Sequence, residues 1–282
     1  MVSDTFEDTK KRLSECGIES PEFEARVIFE ELFGRDFRKD ILMGRLERKL
    51  SDSESARLED IISRRISGEP LQYIIGEWEF FGLRFKVGRG VLIPRQDTET
   101  LVDAALLLLK DVRQPKILDL CSGTGCIPIA LSYHLKDAQI SAAELYGKAY
   151  SYLEANIANH GNKVKSYRLD VLDESSAKQF SGLDMITCNP PYLTGEDMRA
   201  LQKEVSFEPE SALYGEDDGL NYYRIIPKIW RDSLRDGGYI VFEIGCTQAE
   251  SVCEILNDSG YSDISVIKDF AGKDRVVHAK KY

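Results

Sequence analysis

Hydrophobic positions in the first seventy residues recur with a helical period. In "SPEFEARVIFEELFG", Phe23, Val27 and Ile28 share one face, Ser20 stands at the cap, Pro21 at the first helical position and Gly34 at the stop. The segment "LSDSESARLEDIISRRISG" repeats the logic: Ser51 and Glu54 have the spacing of a capping box, and Gly68 closes the end. Together they predict a small helical domain over residues 1–75. Residues 76–94, "GEWEFFGLRFKVGRGVLIP", alternate aromatic and aliphatic side chains broken by glycines, the pattern of a hairpin, here a linker. The run "TETLVDAALLLLKD" then predicts a helix entering at Asp97 or Thr98.

From residue 116 the period switches repeatedly between strand and helix. "KILDLC", "AQISAAE", "KVKSYRLD", "DMITCN" and "GGYIVFEIG" read as strands, separated by the helical stretches "CIPIALSYHLK", "KAYSYLEANIANHG" and "YYRIIPKIWRDSL". Two more strands, "SDISVIKD" and "RVVHAKKY", close the chain with no full helix between them. The expected fold class is α/β: residues 95–282 form a seven-stranded, mostly parallel sheet with helices on both faces and an antiparallel final strand.

Composition narrows the function. With 43% hydrophobic and 30% charged residues the chain has the make-up expected of a soluble globular protein, and 282 residues are enough for one large domain or a large domain plus a small one. No apolar run approaches the roughly 20 residues that span a bilayer. The opening "MVSDTFEDTKKRL" carries acids and no apolar core, so the expected location is the cytoplasm, with no membrane partner. Six scattered cysteines and three distant histidines predict neither a disulfide framework nor a metal site. The net charge of −11 argues against a protein whose main ligand is DNA, because gripping a duplex requires a basic surface.

Ligands of open α/β sheets bind at the carboxyl ends of the strands, where strand order reverses. Four motifs fall at such ends. Residues 119–125, "DLCSGTG", contribute Asp119, Cys121, Ser122, Gly123, Thr124 and Gly125; the glycines let backbone approach a ligand, and the next helix points its N-terminus there. Taken alone, such a turn equally serves to pack a helix on a strand. Glu144 follows 19 residues beyond Gly125, the distance at which an acid meets ribose hydroxyls, with a solvated strand-end charge as the alternative. Asp170 and Val171 suit an adenine amine and an adenine face, or are ordinary turn residues. The fourth motif, Asn189-Pro190-Pro191-Tyr192, leaves a buried strand through two residues that have no N–H to donate. It is either a stiff loop or a rigid cluster of acceptors beside an aromatic face, suited to a planar amine or amide.

These residues resemble the class I S-adenosylmethionine-dependent methyltransferases, among which Asn-Pro-Pro-Tyr marks enzymes acting on planar nitrogens. The stretch "RRISGEPLQYIIGEWEFFGLRFKVGRGVLIPRQDTETLV", with "SFEPESALYGEDDGLNYYR" and "FEIGCTQ", is similar to the HemK/PrmC family, glutamine N-methyltransferases of peptide chain release factors. The resemblance spans nearly the whole chain. It implies S-adenosylmethionine in the crevice of residues 119–125, Glu144, Asp170, Val171 and Asn189, with no metal. It implies that the Asn189 side-chain oxygen and the Pro190 carbonyl accept the two N–H bonds of the target amide, with Pro191 stiffening the loop and Tyr192 supporting the amide plane. Phe81 and Phe85 are expected to wall off water, or else to pack in a core, and Glu208 to meet the substrate side or brace the loop. The implied partner is a release factor, presented through its Gly-Gly-Gln loop and recognised by the helical domain of a monomer. This chain departs from the family pattern at Cys121, where a glycine is usual, and at Glu144-Leu145-Tyr146, where Asp-Val/Ile-Ser is frequent. The turn is expected to survive if Cys121 keeps a negative φ. Two other readings stay open: an adenine methyltransferase acting on DNA, and a non-catalytic scaffold.

Overall fold

Helix signals of the first seventy residues act largely as their chemistry dictates. The structure is a computed structural model that describes every residue except 35, 46 and 162, and residue 38 by its backbone alone. The chain divides into two compact units: residues 1–76 with 203–207, and residues 77–202 with 208–282.

The first unit contains α1 (Val2–Glu15), α2 (Pro21–Phe33), α3 (Phe37–Leu42), α4 (Asp52–Ile66) and α5 (Leu71–Ile75). The capping box of α4 is present: the Glu54 N–H donates to the Ser51 hydroxyl, and the Ser51 N–H donates to the Glu54 carboxylate at 2.8 Å. In α2 the buried stripe is Ala25, Ile28 and Phe29, so the stripe is rotated from the sequence expectation. Phe23 is 44% exposed and lies beneath the Arg26 guanidinium, 5.1 Å away, an exchange of core burial for a cation–π contact. Ser20 makes no side-chain cap bond. The rings of Phe6, Phe29 and Phe37 meet at 5.1 to 5.8 Å in the middle of this core. At its edge the almost fully buried Arg65 forks onto Glu24 at 2.7 and 3.0 Å and also reaches Glu204, which ties the 203–207 segment into this unit.

The second unit opens with the hairpin β1 (Glu77–Phe80) and β2 (Leu83–Lys86), shorter than the glycine pattern suggested because residues 87–94 leave the ladder. After α6 (Glu99–Leu108) come β3 (Lys116–Leu120), α7 (Cys126–His134), β4 (Gln139–Ala143), α8 (Gly147–Asn159), β5 (Val164–Tyr167), α9 (Glu174–Ala177) and β6 (Leu183–Cys188). The chain ends with α10 (Gly195–Arg199), α11 (Asn221–Ile229), β7 (Leu234–Glu243), α12 (Ala249–Asp258), β8 (Tyr261–Lys268) and β9 (Asp274–Lys281). The seven-stranded sheet has the order β5-β4-β3-β6-β7-β9-β8, with β9 antiparallel to both neighbours and the other pairings parallel. The α/β class, the mostly parallel sheet and the antiparallel last strand all agree with the sequence reading.

Side chains alternate across the sheet and build two cores. Leu118, Leu120, Ile186 and Phe242 pack with Tyr223, Trp230 and Val252 on one face. Ile117, Met185 and Val241 pack with Leu101, Leu131 and Leu153 on the other. Strand β3 lies beside both β4 and β6, with Leu120 opposite Ala143 and Cys188, so the order reverses at β3 and a crevice opens at these three carboxyl ends. That placement of the crevice is what the fold contributes to function.

Replacing Arg65 with alanine strands the Glu24 carboxylate without its partner. Loss of one member of a buried ion pair is worth about 3–5 kcal/mol. Arg65→Ala is therefore expected to lower the thermal midpoint of the helical unit and to speed proteolysis within residues 203–207; an unchanged cleavage rate there would contradict the tie.

Candidate active site

The pocket is built first by the turn that follows β3. Cys121 has φ +57°, so the expectation of a negative φ is overturned: the chain needs a left-handed residue to turn out of the strand, and the thiol side chain is carried in that strained state. The turn survives because other bonds fix it. The Ser122 N–H donates to the Ala143 carbonyl at 3.0 Å, and the Ser122 hydroxyl donates to the Asp119 carbonyl at 3.0 Å. Gly125 then caps α7, and a β-carbon there would fall 2.5 Å from Leu153 of α8, so only glycine lets the two helices pack this closely. Asn156 of α8, fully buried, donates to the Thr124 carbonyl at 2.9 Å and exchanges bonds with the Lys86 backbone, bolting the hairpin to the turn.

The acids occupy distinct environments. Glu144 is buried at the pocket wall, where its carboxylate accepts the N–H of Gly123 at 2.9 Å and of Tyr146 at 2.8 Å. Burial pushes its pKa up, and those N–H bonds pull it back down. Asp170 lies beyond the end of β5, which stops at Tyr167, and its carboxylate accepts the Leu172 N–H at 2.9 Å in a turn; Val171 beside it is buried. Both line the pocket, as do Cys121, Ser122, Gly123 and Thr124. Asp119 and Gly125 do not. Asp119 is fully buried beneath the turn, accepts the Thr187 hydroxyl at 2.7 Å, and has its second carboxylate oxygen without a partner. Burial raises its pKa from 3.8 to about 7.

Asn189 and Pro191 line the same pocket, one residue and three residues beyond β6. The Asn189 side-chain N–H donates to the Thr98 hydroxyl at 3.4 Å, which turns its amide oxygen away from Thr98. Pro190 is buried and outside the lining, and the Tyr192 ring packs beside Gly245 toward the sheet core, where burial raises its phenol pKa. The loop is held from outside. Leu193 exchanges backbone bonds with Leu213 and Gly215, and the Gln248 amide donates to the Tyr192 carbonyl at 3.1 Å. Gly219 passes so close that a β-carbon would stand 2.2 Å from the Tyr192 oxygen.

The remaining two expected residues lie away from the lining. Phe85 is fully buried against the rings of Phe80 and His160, because the hairpin packs that face on α8; of the two roles weighed for it, the geometry gives core packing. Phe81 likewise packs edge-on against His134. Glu208 is buried and accepts the Ile93 N–H at 2.9 Å while pairing with Arg95, so it braces the wall rather than facing the cavity. Sequence reasoning missed Arg95, Thr98, Tyr146 and Tyr222, which line the pocket, and Gln248, which holds its loop. Thr98, Arg95 and Gln248 sit in the very stretches that carry the family resemblance, the one signal available for them.

The donor set fits a nucleoside-bearing cofactor. The space between the lining atoms is about 860 Å³ including the open mouth, enough for such a ligand. A buried carboxylate stands beside left-handed backbone and the start of α7, Val171 and Tyr222 supply apolar surface, and Arg95 supplies a cation. Among the described residues, no cluster of three or more His, Cys, Asp or Glu side chains is arranged for a metal ion, and no helix is long and apolar enough to cross a membrane.

Comparison with known proteins agrees with this architecture. Residues 4–76 match the PrmC N-terminal domain family, and residues 98–208 match the methyltransferase small domain family. The chain is 37% identical to a release factor glutamine methyltransferase of Fusobacterium nucleatum over 99% of this chain and 78% of that protein. It is 36% identical to the one of Clostridium botulinum, over 96% and 95% of the two chains. Among solved structures, the hMettl16 catalytic domain in complex with an RNA hairpin superposes with a TM-score of 0.58 at 17% identity, covering 84% of this chain and 86% of that one. An rRNA methyltransferase of Thermus thermophilus in complex with AdoMet and guanosine gives 0.51 at 17% identity, covering 73% and 50%. At such identity these two structures establish the fold alone.

Two outcomes follow from the site's strain and burial. Cys121→Gly removes the left-handed penalty of roughly 1 kcal/mol and is expected to raise the thermal midpoint by a few degrees; a lower midpoint would mean that thiol packing outweighs backbone strain. Asp119 holds its proton up to about pH 7 when folded but releases it near 4 when unfolded, so the folded state binds more protons in between and loses stability as pH rises across that window. Asp119→Asn, which still accepts the Thr187 hydroxyl, should flatten the fall in thermal midpoint between pH 5 and pH 8, read by calorimetry.

Proposed function

This chain belongs to the release factor glutamine methyltransferase family, and on that premise we propose that its pocket moves a methyl group from S-adenosylmethionine to the side-chain amide nitrogen of a release-factor glutamine. The observation that carries the reading is the Asn189 amide: its N–H is tied back to Thr98, so its oxygen is the group left to face the pocket.

S-adenosylmethionine, when bound, supplies a methyl group on a sulfonium, and the chain's own residues do the rest by placement. Glu144 meets the ribose hydroxyls from a carboxylate already aimed by the Gly123 and Tyr146 N–H groups. Asp170 and Val171 take the adenine edge and face. An amide nitrogen is a weak nucleophile because its lone pair is shared with the carbonyl. The Asn189 oxygen and the Pro190 carbonyl accept its two N–H bonds, fix its plane and direction, and stabilise the positive charge that develops on it during transfer. The spare proton leaves to water afterwards, so no general base has to precede the transfer. Two prolines, the Leu193 ladder and Gln248 keep this acceptor pair from drifting, and a displacement of about 1 Å at such a site is worth on the order of 10² in rate.

Selectivity for a glutamine requires contacts beyond the amide, because one side chain offers little surface. We assign those contacts to the helical unit of residues 1–76 and take the acceptor to be the Gly-Gly-Gln loop of a folded release factor. The test is transfer of labelled methyl to whole release factor, to a short Gly-Gly-Gln peptide and to DNA, with Asn189→Ala alongside. Label is expected on the whole factor at Gln, with Asn189→Ala keeping cofactor affinity while losing about 10²–10³ in turnover, the scale of one removed transition-state partner. Label on DNA and none on the factor would make this an adenine enzyme.

A further inference from the structure

Trp230 follows α11 directly, and its ring is fully buried. It packs on Phe180 at 5.7 Å between centroids, and Phe180 packs edge-on against Tyr167, the last residue of β5, at 5.0 Å. Phenylalanine would serve such packing as well; the indole adds one N–H. That N–H donates to the Val171 carbonyl at 2.8 Å. The Val171 carbonyl and the Leu172 N–H belong to one planar trans peptide, so they point in opposite directions and turn together. The Leu172 N–H in turn donates to one Asp170 carboxylate oxygen at 2.9 Å. Tying the carbonyl to Trp230 therefore fixes the direction from which the Asp170 carboxylate is held. Among the described residues, the other bond of this turn is local, from the Asp173 N–H to the Asp170 carbonyl, and the indole supplies the one bond from another element. No described donor takes the second Asp170 oxygen, and both Asp170 and Val171 line the pocket.

We propose that Trp230 is a positioning residue for the cofactor's base. Acting through the peptide between Val171 and Leu172, it aims the open Asp170 oxygen at an exocyclic amine, so that the pocket takes a 6-aminopurine and turns away a 6-oxopurine. The proposal rests on the reading of Asp170 as the residue at the adenine edge. A carboxylate accepts hydrogens and gives none. The amine of adenine offers it a hydrogen, whereas the oxygen of hypoxanthine presents a second acceptor. Asp170 is exposed, so a loosened peptide lets its carboxylate swing to solvent and the discrimination goes with it. Trp230→Phe loosens that peptide by leaving the buried Val171 carbonyl without its donor.

The experiment is calorimetric binding of S-adenosylhomocysteine and S-inosylhomocysteine to the full chain and to Trp230→Phe, Ser233→Ala, Asp170→Ala and the double variant Asp170→Ala with Trp230→Phe. Ser233 is the structural control: its buried hydroxyl donates to the Ala177 carbonyl at 2.9 Å, a neighbouring bond that does not touch Asp170. The unaltered chain should prefer the adenosyl compound by at least about tenfold. Trp230→Phe should raise the adenosyl Kd about 5- to 100-fold, the scale of a stranded buried acceptor, and move the inosyl Kd by less than about twofold. Its KM for S-adenosylmethionine should rise in step while kcat stays within about twofold, because the base lies away from the transferred methyl. Ser233→Ala should keep the adenosyl preference, and Trp230→Phe should add nothing once Asp170 is alanine. Unchanged adenosyl affinity in Trp230→Phe, equal weakening of both ligands, the same loss of preference in Ser233→Ala, or a further loss in the double variant would each overturn the proposal. Should Trp230→Phe fail to fold, the unaltered chain decides. It has two tryptophans, and the Trp230 indole N–H resonance should shift with adenosine and stay put with methionine; an unmoved signal with adenosine overturns the proposal. Equal binding of the two ligands by the unaltered chain would instead overturn the reading of Asp170 beneath it.

Discussion

The manner in which the chain leaves β6 constrains everything at the mouth of the pocket. Two successive prolines carry no N–H, so Pro190 and Pro191 cannot be held by donating to a neighbouring strand, and it is Leu193 that donates, to the Leu213 carbonyl at 2.8 Å. The residues ahead of Leu193 are held through the Tyr192 carbonyl and through steric closeness. Gln248 donates to the Tyr192 oxygen and to the Gly219 oxygen, and takes the Gly245 N–H on its own carbonyl. Gly215 and Gly219 pass where any β-carbon would strike Pro191 or Tyr192 backbone. The stretch "LYGEDDG" and the "GCTQ" after β7 are therefore parts of one clamp, although sixty residues of sequence show no shared pattern among them.

What was legible in the sequence was what local periodicity and chain order encode. The switch from helical to strand–helix alternation at residue 116 revealed the doubly wound sheet, and the missing helix between the last two strands revealed the reversed β9, because a short connection cannot cross over to a parallel neighbour. The pocket was legible to the extent that it is built from strand ends: Gly123, Glu144, Asp170, Val171 and Asn189 all line it. The misplaced details depend on neighbours remote in sequence. The backbone at Cys121 is left-handed because the turn, not the residue, sets φ there. Phe85 faces α8 because of how the hairpin docks, and Glu208 turns to Ile93 and Arg95 across a gap of more than a hundred residues. No period in a single sequence carries that information.

The helical unit obeys the same logic from the other direction. Its elements were set by caps and stops that are local, and α4 forms its capping box as written. Its membership was not local: residues 203–207 fold with it although they lie between α10 and Glu208 of the other unit. The reason is electrostatic. Arg65 is nearly inaccessible to water, and Glu24 and Glu204 together neutralise it, so the short segment is captured by a buried charge that no hydrophobic pattern announces. A salt-bridged arginine of this kind specifies a partner more than it adds stability.

Departures from ordinary folding rules gather at the carboxyl ends of β3, β6 and β7. Asp119 and Glu243 sit on a face otherwise filled by Ile117, Met185 and Val241, each with one carboxylate oxygen that has no hydrogen-bond partner. Burial lifts both to a pKa of about 7, which means that the fold gives up stability to keep them there at neutral pH. Hydrophobic residues of similar size would fold better at both positions. They would not, however, orient anything. Asp119 accepts the Thr187 hydroxyl at 2.7 Å, and that bond fixes the direction in which the hydroxyl hydrogen points. Thr187 stands two residues before Asn189 in the strand that carries it. The stability lost at Asp119 thereby goes with a fixed hydroxyl direction in the strand that leads into the Asn189 loop.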